Sequence, residues 1–158
     1  MNGVRSPRVS KGLMRKLPSL TVGLLTLSLL CSCNASMRRS GIPAGAQAAL
    51  DAAIADIDAG RYDKLYQEAS DEWRSQSALE QSRTTFQTLR DRLGNARARS
   101  LLTAREEQTS TAPIAGHSVT VAYQTTFDRG DGQETFTLIE HGGRWALAKY
   151  YVSSSGLK

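Results

Sequence analysis

The chain has 158 residues, a length typical of one domain, and a globular composition in which 40% of residues are hydrophobic and 22% are charged. Its net charge of +5 is concentrated at the N-terminus, because five of the twenty Lys and Arg residues precede Leu17 and no acidic residue occurs before Asp51. From Cys33 onward, fifteen basic residues balance fifteen acidic ones. A folded domain with interspersed charges lacks the basic patch that nucleic-acid binding requires, so we expect no nucleic acid among its partners.

Residues 1–32 have the arrangement of an export signal. Residues 1–16 are basic, Leu17–Leu30 is an apolar run of secretory length, and small or polar residues follow. A transmembrane helix needs about 20 consecutive apolar residues, whereas this run is shorter and is interrupted by a proline and several hydroxyl residues. We therefore predict a signal peptide over 1–32, with translation starting at either Met1 or Met14.

The end of this leader, "LCSC", resembles the lipobox of bacterial lipoproteins. In that motif a leucine lies three residues before the modified cysteine and a small residue lies directly before it, which suits Leu30, Ser32 and Cys33. Cys31 occupies a position where a small residue is usual. The resemblance implies lipid attachment at Cys33 and a membrane anchor in the cell envelope, and Asn34 directly after it implies the outer membrane, facing the periplasm.

A plain secretory leader with incidental cysteines, or a disulfide between Cys31 and Cys33, is the alternative, although a bridge across one residue is geometrically poor. With Cys31 removed and Cys33 acylated, no free thiol remains for a disulfide, a metal site or a nucleophile. The predicted mature chain consists of a flexible tether over 33–45, a domain over 46–153 and a polar tail over 154–158.

Three helices are predicted in the first half of the domain. Apolar residues from Ala46 onward follow the spacing of one helix face, and Gly60 ends that helix. A short helix follows from Tyr62 to Ala69. The sequence "SALE", Ser77–Glu80, has the form of a capping box and opens a helix that ends at Gly94.

After Gly94 the apolar period changes to two, which predicts four strands in "ARARSLLTAREE", "HSVTVAYQTTFD", "QETFTLIEH" and "RWALAKYYV". The glycine-containing stretches "RGDG" and "GG" between the last three predict hairpins, with Tyr123 opposite Leu138 and Phe136 opposite Lys149. One face of the sheet then collects the apolar residues Val119, Val121, Tyr123, Phe127, Phe136, Leu138, Trp145, Leu147 and Tyr151. We predict an α+β fold in which two to three N-terminal helices pack on one face of a four-stranded antiparallel meander.

Helices followed by the closing sequence "TFTLIEHGGRWALAKYYV" resemble the cystatin-like or nuclear-transport-factor-like class. More closely, Ala49 to Val152 is similar to a family of small bacterial domains of unknown function, in which a "DAGRYDKLY"-type helix pair and a final "GGRW" hairpin recur. This resemblance implies the fold and a location in the cell envelope. It implies no catalytic residues.

The candidate binding residues come from an anomaly in the pairing, which places Lys149 on the apolar face together with Glu140 and Glu134. Buried charge is costly unless it is paired. One interpretation is a pocket between helices and sheet that is lined by Tyr66, Trp73, Tyr123 and Trp145, with Lys149 as its polar anchor. The other is that these charges lie at the sheet ends or extend past the helices into water.

No other pattern indicates chemistry. His117 and His141 are expected to be solvated at strand ends, without a fixed carboxylate nearby, and no converging set of metal ligands is present. Phosphate loops, serine-nucleophile elbows and paired-carboxylate signatures are absent from the sequence. We expect no cofactor and no enzymatic activity. The leading hypothesis is a lipid-anchored envelope module that contacts another protein or the cell wall, and the alternative is a periplasmic small-molecule binding domain; the oligomeric state is not predicted.

Overall fold

The computed structural model describes residues 41–110 and 114–158, which form a domain with its own hydrophobic core. Residues 1–40, and with them the predicted signal peptide, the lipobox and most of the tether, lie outside the described residues. None of the described helices is long and apolar enough to span a membrane. The elements follow in the order α1 (Ala44–Asp58), α2 (Tyr62–Glu68), α3 (Asp71–Gln76), α4 (Leu79–Leu93), β1 (Ala96–Thr109), β2 (Gly116–Phe127), β3 (Gly130–His141), β4 (Arg144–Ser154) and a short 3₁₀ helix (Ser155–Leu157).

The four strands form one antiparallel sheet in sequence order, so β1 and β4 are its edges. The predicted fold class is confirmed: helices come first in the chain and pack on one face of a four-stranded meander. The core combines Leu50 of α1 and Phe86 of α4 with Val121, Phe136 and Leu138 of the sheet. Helices and sheet therefore bury one common apolar layer, as an α+β domain requires.

The structure contains one helix more than the sequence predicts, and the capping box does not form. Ser70 caps the additional helix α3 by accepting a hydrogen bond from the Trp73 backbone N–H at 3.5 Å. Ser77 ends α3 in extended conformation, and its hydroxyl accepts from Ser82 at 3.1 Å. Helix α4 begins after Ala78 without a side-chain cap, because Ser77 is already used by the preceding helix.

The predicted β2–β3 register is wrong by four residues. The sequence predicts the stretch "RGDG", Arg129–Gly132, as the loop, but Phe127 already pairs with Gly130, so Tyr123 lies opposite Glu134 rather than Leu138. Since side chains alternate with a period of two, an even-numbered error leaves every side chain on its predicted face.

The predicted β3–β4 turn is confirmed at its tip, where His141 pairs with Arg144. Further along, a β-bulge beside Thr137 changes the pairing, so Phe136 lies opposite Tyr150 instead of Lys149. A bulge adds one residue to one strand and re-aims the side chains beyond it. Tyr150 consequently enters the core, while Lys149 is exposed and Tyr151 is 59% exposed. The placement of Lys149 and Tyr151 on the apolar face is therefore wrong.

The junction between α4 and β1 contains a glycine, Gly94, whose backbone conformation can be tested by substitution. Gly94 has φ +78° and ψ −157°, a conformation that is essentially restricted to glycine. A Cβ there would collide with the side chain of Asp128, whose carboxylate accepts from the Asn95 backbone N–H at 2.7 Å. We expect Gly94→Ala to lower the free energy of unfolding by about 3 kcal/mol, measured by urea denaturation.

The matched control for this substitution is Gly142→Ala in the β3–β4 turn. Gly142 also has a positive φ, +59°, but a Cβ there would meet nothing within 4 Å. We expect Gly142→Ala to lower the free energy of unfolding by about 1 kcal/mol, which is the cost of the backbone conformation alone. Equal losses in the two variants would show that the contact with Asp128 is unimportant.

Candidate functional site

A groove of about 440 Å³ lies between helices α3 and α4 and strand β4. We call it the β4 groove. The helices contribute Trp73, Gln76, Ser77, Ser82, Thr85, Phe86 and Leu89, and the strand contributes Ala148, Lys149, Tyr150, Tyr151 and Val152. Its volume is within the range of known ligand sites.

The wall formed by β4 is the edge of the strand rather than one of its faces. Successive side chains of a strand point to opposite faces, so a groove over one face is lined by every second residue. Here all residues from Ala148 to Val152 line the groove. Because β4 is an edge strand with no neighbour on this side, its backbone borders the groove.

Both ends of this edge are covered by other parts of the chain. At one end, the Ser70 backbone N–H donates to the Leu147 carbonyl at 2.9 Å. At the other end, the 3₁₀ helix Ser155–Leu157 packs on α4, where Arg92 donates to the Leu157 carbonyl at 3.2 Å. Between these two closures the edge is open.

Aromatic rings form the floor of the groove. The Phe86 ring stacks on Tyr150 at a centroid distance of 5.3 Å and on Trp73 at 6.0 Å. The Trp73 indole N–H donates to the Ser82 hydroxyl at 3.1 Å, which holds the indole in place. The floor is thus apolar and fixed, with hydroxyl groups at its margin.

The fully buried carboxylate of Glu134 fixes the position of Tyr150 through a hydrogen bond to its hydroxyl. Glu134 accepts hydrogen bonds from Arg99 Nε at 2.5 Å, from the Thr125 hydroxyl at 2.6 Å and from the Tyr150 hydroxyl at 2.6 Å. Arg99 also donates two hydrogen bonds of 2.8 Å to Asp58 at the end of α1. Each strand supplies one member of this Glu134 network, namely Arg99 (β1), Thr125 (β2), Glu134 (β3) and Tyr150 (β4).

The protonation states of this network follow from its contacts. Burial raises the pKa of the Tyr150 phenol and the charge of Glu134 raises it further, so Tyr150 remains a donor. Burial alone would lower the pKa of Arg99, but hydrogen bonds to Asp58 and Glu134 outweigh it and raise that pKa above the ordinary value. Arg99 therefore stays cationic, and it provides a counter-charge beside the Glu134 carboxylate, whose two oxygens accept four hydrogen bonds. This arrangement positions Tyr150 and leaves no free acid or base.

His117 lies between two carboxylates, which corrects the expectation that no fixed carboxylate lies near it. Its Nε2 is 2.5 Å from Glu106 and its Nδ1 is 2.6 Å from Glu140. Hydrogen bonds to Glu140 and then to Glu106 raise the pKa of His117. His141 likewise contacts a fixed carboxylate, that of Glu72 at 2.7 Å. Within 41–110 and 114–158, no three or more His, Cys, Asp or Glu residues are grouped to hold a metal ion.

The five predicted pocket residues do not share one cavity. Trp73 and Lys149 both line the β4 groove, with Lys149 exposed at its rim. Tyr123 is buried in the core and Tyr66 lines none of the described cavities. Trp145 borders a separate cavity of about 90 Å³ between α1, α2 and β4.

Sequence reasoning missed the Glu134 network and the strand edge. A signal for the network is present, because Glu134 lies on the predicted apolar face of the sheet and a buried charge requires a partner. Identifying Arg99 as that partner requires the β1–β2 pairing, which brings Arg99 opposite Thr125.

The fold and the groove together define a helix-on-meander α+β domain with an open strand edge. The chain belongs to the DUF4019 family, a family described as a protein of unknown function, whose model matches residues 48–150. The resemblance to a domain family of unknown function is thereby confirmed. No curated protein matches the chain.

The Glu134 network can be tested by removing its cation. Arg99→Met leaves the Glu134 carboxylate buried without a counter-charge, and we expect it to lower the free energy of unfolding by about 3–5 kcal/mol. Adding Glu134→Gln removes the uncompensated charge and should recover a large part of that loss. The measurement is urea denaturation of the two variants and the wild type.

Arg97→Met is the matched control, since Arg97 is a 67% exposed cation on the same strand, paired with Asp128. Arg97→Met should lower the free energy of unfolding by about 1 kcal/mol or less. If Arg99→Met is as mild as Arg97→Met, the network does not stabilise the fold.

The His117 contacts predict a pH dependence of stability. Because the pKa of His117 is raised in the folded state, its contribution is complete below the unfolded pKa of about 6.5 and is lost as pH rises through the folded pKa. We expect the urea midpoint to fall over that window and His117→Gln to flatten the dependence. Glu140→Gln should weaken it, and an unchanged profile in His117→Gln would contradict the assignment.

Proposed function

We propose that this protein is a lipid-anchored protein of the bacterial cell envelope whose folded domain binds a partner without catalysis in the β4 groove. The anchor rests on the sequence around Cys33, where Leu30, Cys31 and Ser32 complete the lipobox pattern. Two or more acyl chains give stable membrane attachment, whereas one chain gives only marginal affinity. Asn34 favours the outer membrane, with the domain facing the periplasm.

The observation that carries the binding role is the open, aromatic-floored edge of β4. Strand edges are ready-made templates for pairing, and folded domains usually blunt or cover them. In this domain the edge is covered at Leu147 and next to the 3₁₀ helix, and it is left open between them over a fixed aromatic floor. An open edge in that setting favours a binding surface.

The chemistry of the groove supports a non-catalytic role. Lys149 is the only charged residue among those that line it. The Tyr150 hydroxyl is committed to Glu134. Catalysis by proton transfer needs a positioned group that is free to exchange a proton with the substrate, and the groove lining offers no activated group of this kind.

A second candidate function is the binding of a small molecule in the same groove. The volume of about 440 Å³ and a mostly apolar lining with a few polar groups favour it. Under this alternative Lys149 would hold an anionic group and Trp73 would contact the apolar part of the ligand. A lipid anchor would be compatible with either function.

The anchor is tested by mass analysis of the mature protein expressed in a Gram-negative host. We expect the wild type and Cys31→Ser to begin at Cys33, to carry acyl chains and to partition into the membrane fraction. Cys33→Ser should lose the acyl mass and the membrane attachment. An unlipidated wild type would overturn the anchor.

The binding role is tested by photo-crosslinking in cells. A photoreactive amino acid replaces Gln76, an exposed residue of the groove, or Gln124, an exposed residue of β2 as control. A protein adduct formed at position 76 and not at 124 supports the partner-binding role. A small ligand retained in native mass spectra, with no protein adduct, supports the second candidate. Equal adducts at both positions would contradict the groove.

A further inference from the structure

The geometry points to an extended polypeptide segment as the ligand of the β4 groove, which we propose adds to β4 as a fifth strand and places an acidic residue beside Lys149. This inference rests on the proposed function of the groove as the binding site. It specifies the partner's conformation and charge, which the groove volume alone does not.

The first argument is the direction of the β4 backbone groups. In an antiparallel strand, successive residues turn their N–H and C=O groups alternately toward the neighbour and away from it. The Leu147 carbonyl points away from β3, because it accepts from Ser70. The bulge inserts Ala148, and Lys149 then pairs with Thr137 of β3. The alternation places the outward groups of the next residues at Tyr150 and Val152.

These outward groups face the groove and have no backbone partner outside the sheet in the described part of the chain. The open stretch from Ala148 to Val152 spans about 14 Å at the rise of an extended strand. A segment of about five residues matches this length. Main-chain hydrogen bonds to an exposed sheet edge are the basis of peptide recognition by strand addition.

The second argument is charge. The three arginines of β1 are paired: Arg97 with Asp128, Arg99 with Glu134 and Asp58, and Arg105 with Glu107. Lys149 is exposed, and no ion pair joins it to another described residue of the domain. Opposite charges on adjacent strands attract, so an incoming strand with Asp or Glu beside Lys149 is favoured.

The side-chain pattern of the segment follows from the alternation of the pleat. An acidic residue beside Lys149 directs its neighbours in sequence to the other face, toward the aromatic floor of Phe86 and Tyr150. Those neighbours are therefore apolar. The expected motif is apolar, acidic, apolar in an extended conformation.

A second copy of this chain does not meet the requirement through its own β4. The sequence of β4, "RWALAKYYVSS", contains no acidic residue. Antiparallel pairing of two β4 edges would place Lys149 near its counterpart, and like charges on adjacent strands repel. The other edge, β1, has acidic residues only in "REEQ", which lacks the apolar, acidic, apolar pattern. Neither edge of a second copy supplies the segment, so the partner is a different polypeptide.

The test uses the full chain in detergent and a phage-displayed library of random decapeptides. We expect the selected peptides to share the apolar, acidic, apolar motif, and synthetic versions to bind at least tenfold more weakly to Lys149→Glu. Lys158→Glu, an identical charge change at an exposed residue outside the groove lining, should bind like the wild type. Exchanging the peptide's acidic residue for Lys should restore binding to Lys149→Glu.

Two readouts report strand addition itself. Two peptides are N-methylated at alternate amides, one at the odd-numbered and one at the even-numbered positions. Because only every second amide pairs with β4, one set of methyl groups should abolish binding, and the other should change the affinity by no more than about threefold. Hydrogen exchange at the Tyr150 and Val152 amides should slow at least tenfold on peptide addition, and exchange at Ala146 should not change.

Failure to select any peptide, selection of peptides without the motif, or equal effects of N-methylation in both registers would overturn strand addition. The same holds if the peptide slows exchange nowhere along β4. The crosslinking experiment at Gln76 and Gln124 is independent of these outcomes. An adduct at Gln76 combined with failure of the peptide tests would retain the groove as a binding site and remove only this inference.

Discussion

The buried carboxylate of Glu134 is the constraint on which the arrangement of the sheet depends. An ionised group with no solvent access is tolerated only when a counter-charge and hydrogen bonds replace water. Arg99, Thr125 and Tyr150 supply them, and with Glu134 they represent all four strands. Through Asp58 the same network reaches the end of α1. Strand pairing, helix position and the orientation of Tyr150 are thereby linked to one charge.

The bulge in β4 decides which side chains of this strand reach the buried Glu134 and which reach the surface. Without the inserted residue, Tyr150 would face outward and could not reach Glu134. With it, Tyr150 enters the stack on Phe86 at 5.3 Å, and Lys149 moves to the rim of the β4 groove. The bulge therefore assigns an aromatic residue to the floor and a cation to the margin. These are the two features that give the groove its expected preference for an apolar and acidic segment.

The proposed anchor and the β4 groove have different physical origins. The proposed anchor rests on a local sequence pattern, Leu30 to Cys33, at the end of an apolar run. The groove is a product of the folded domain, because its helical and strand walls are separated by more than fifty residues of sequence.

The sequence by itself determined the features that depend on neighbouring residues. The spacing of apolar residues in α1, the glycine turn before Arg144 and the two faces of β2 and β3 follow from local patterns and were predictable. Tertiary structure alone decided the register of Tyr123 against Glu134, the bulge, and the partner of Glu134. A shift of register by an even number preserves every local pattern, so periodicity cannot choose among such shifts. The choice comes from long-range packing and from the need to neutralise one buried charge.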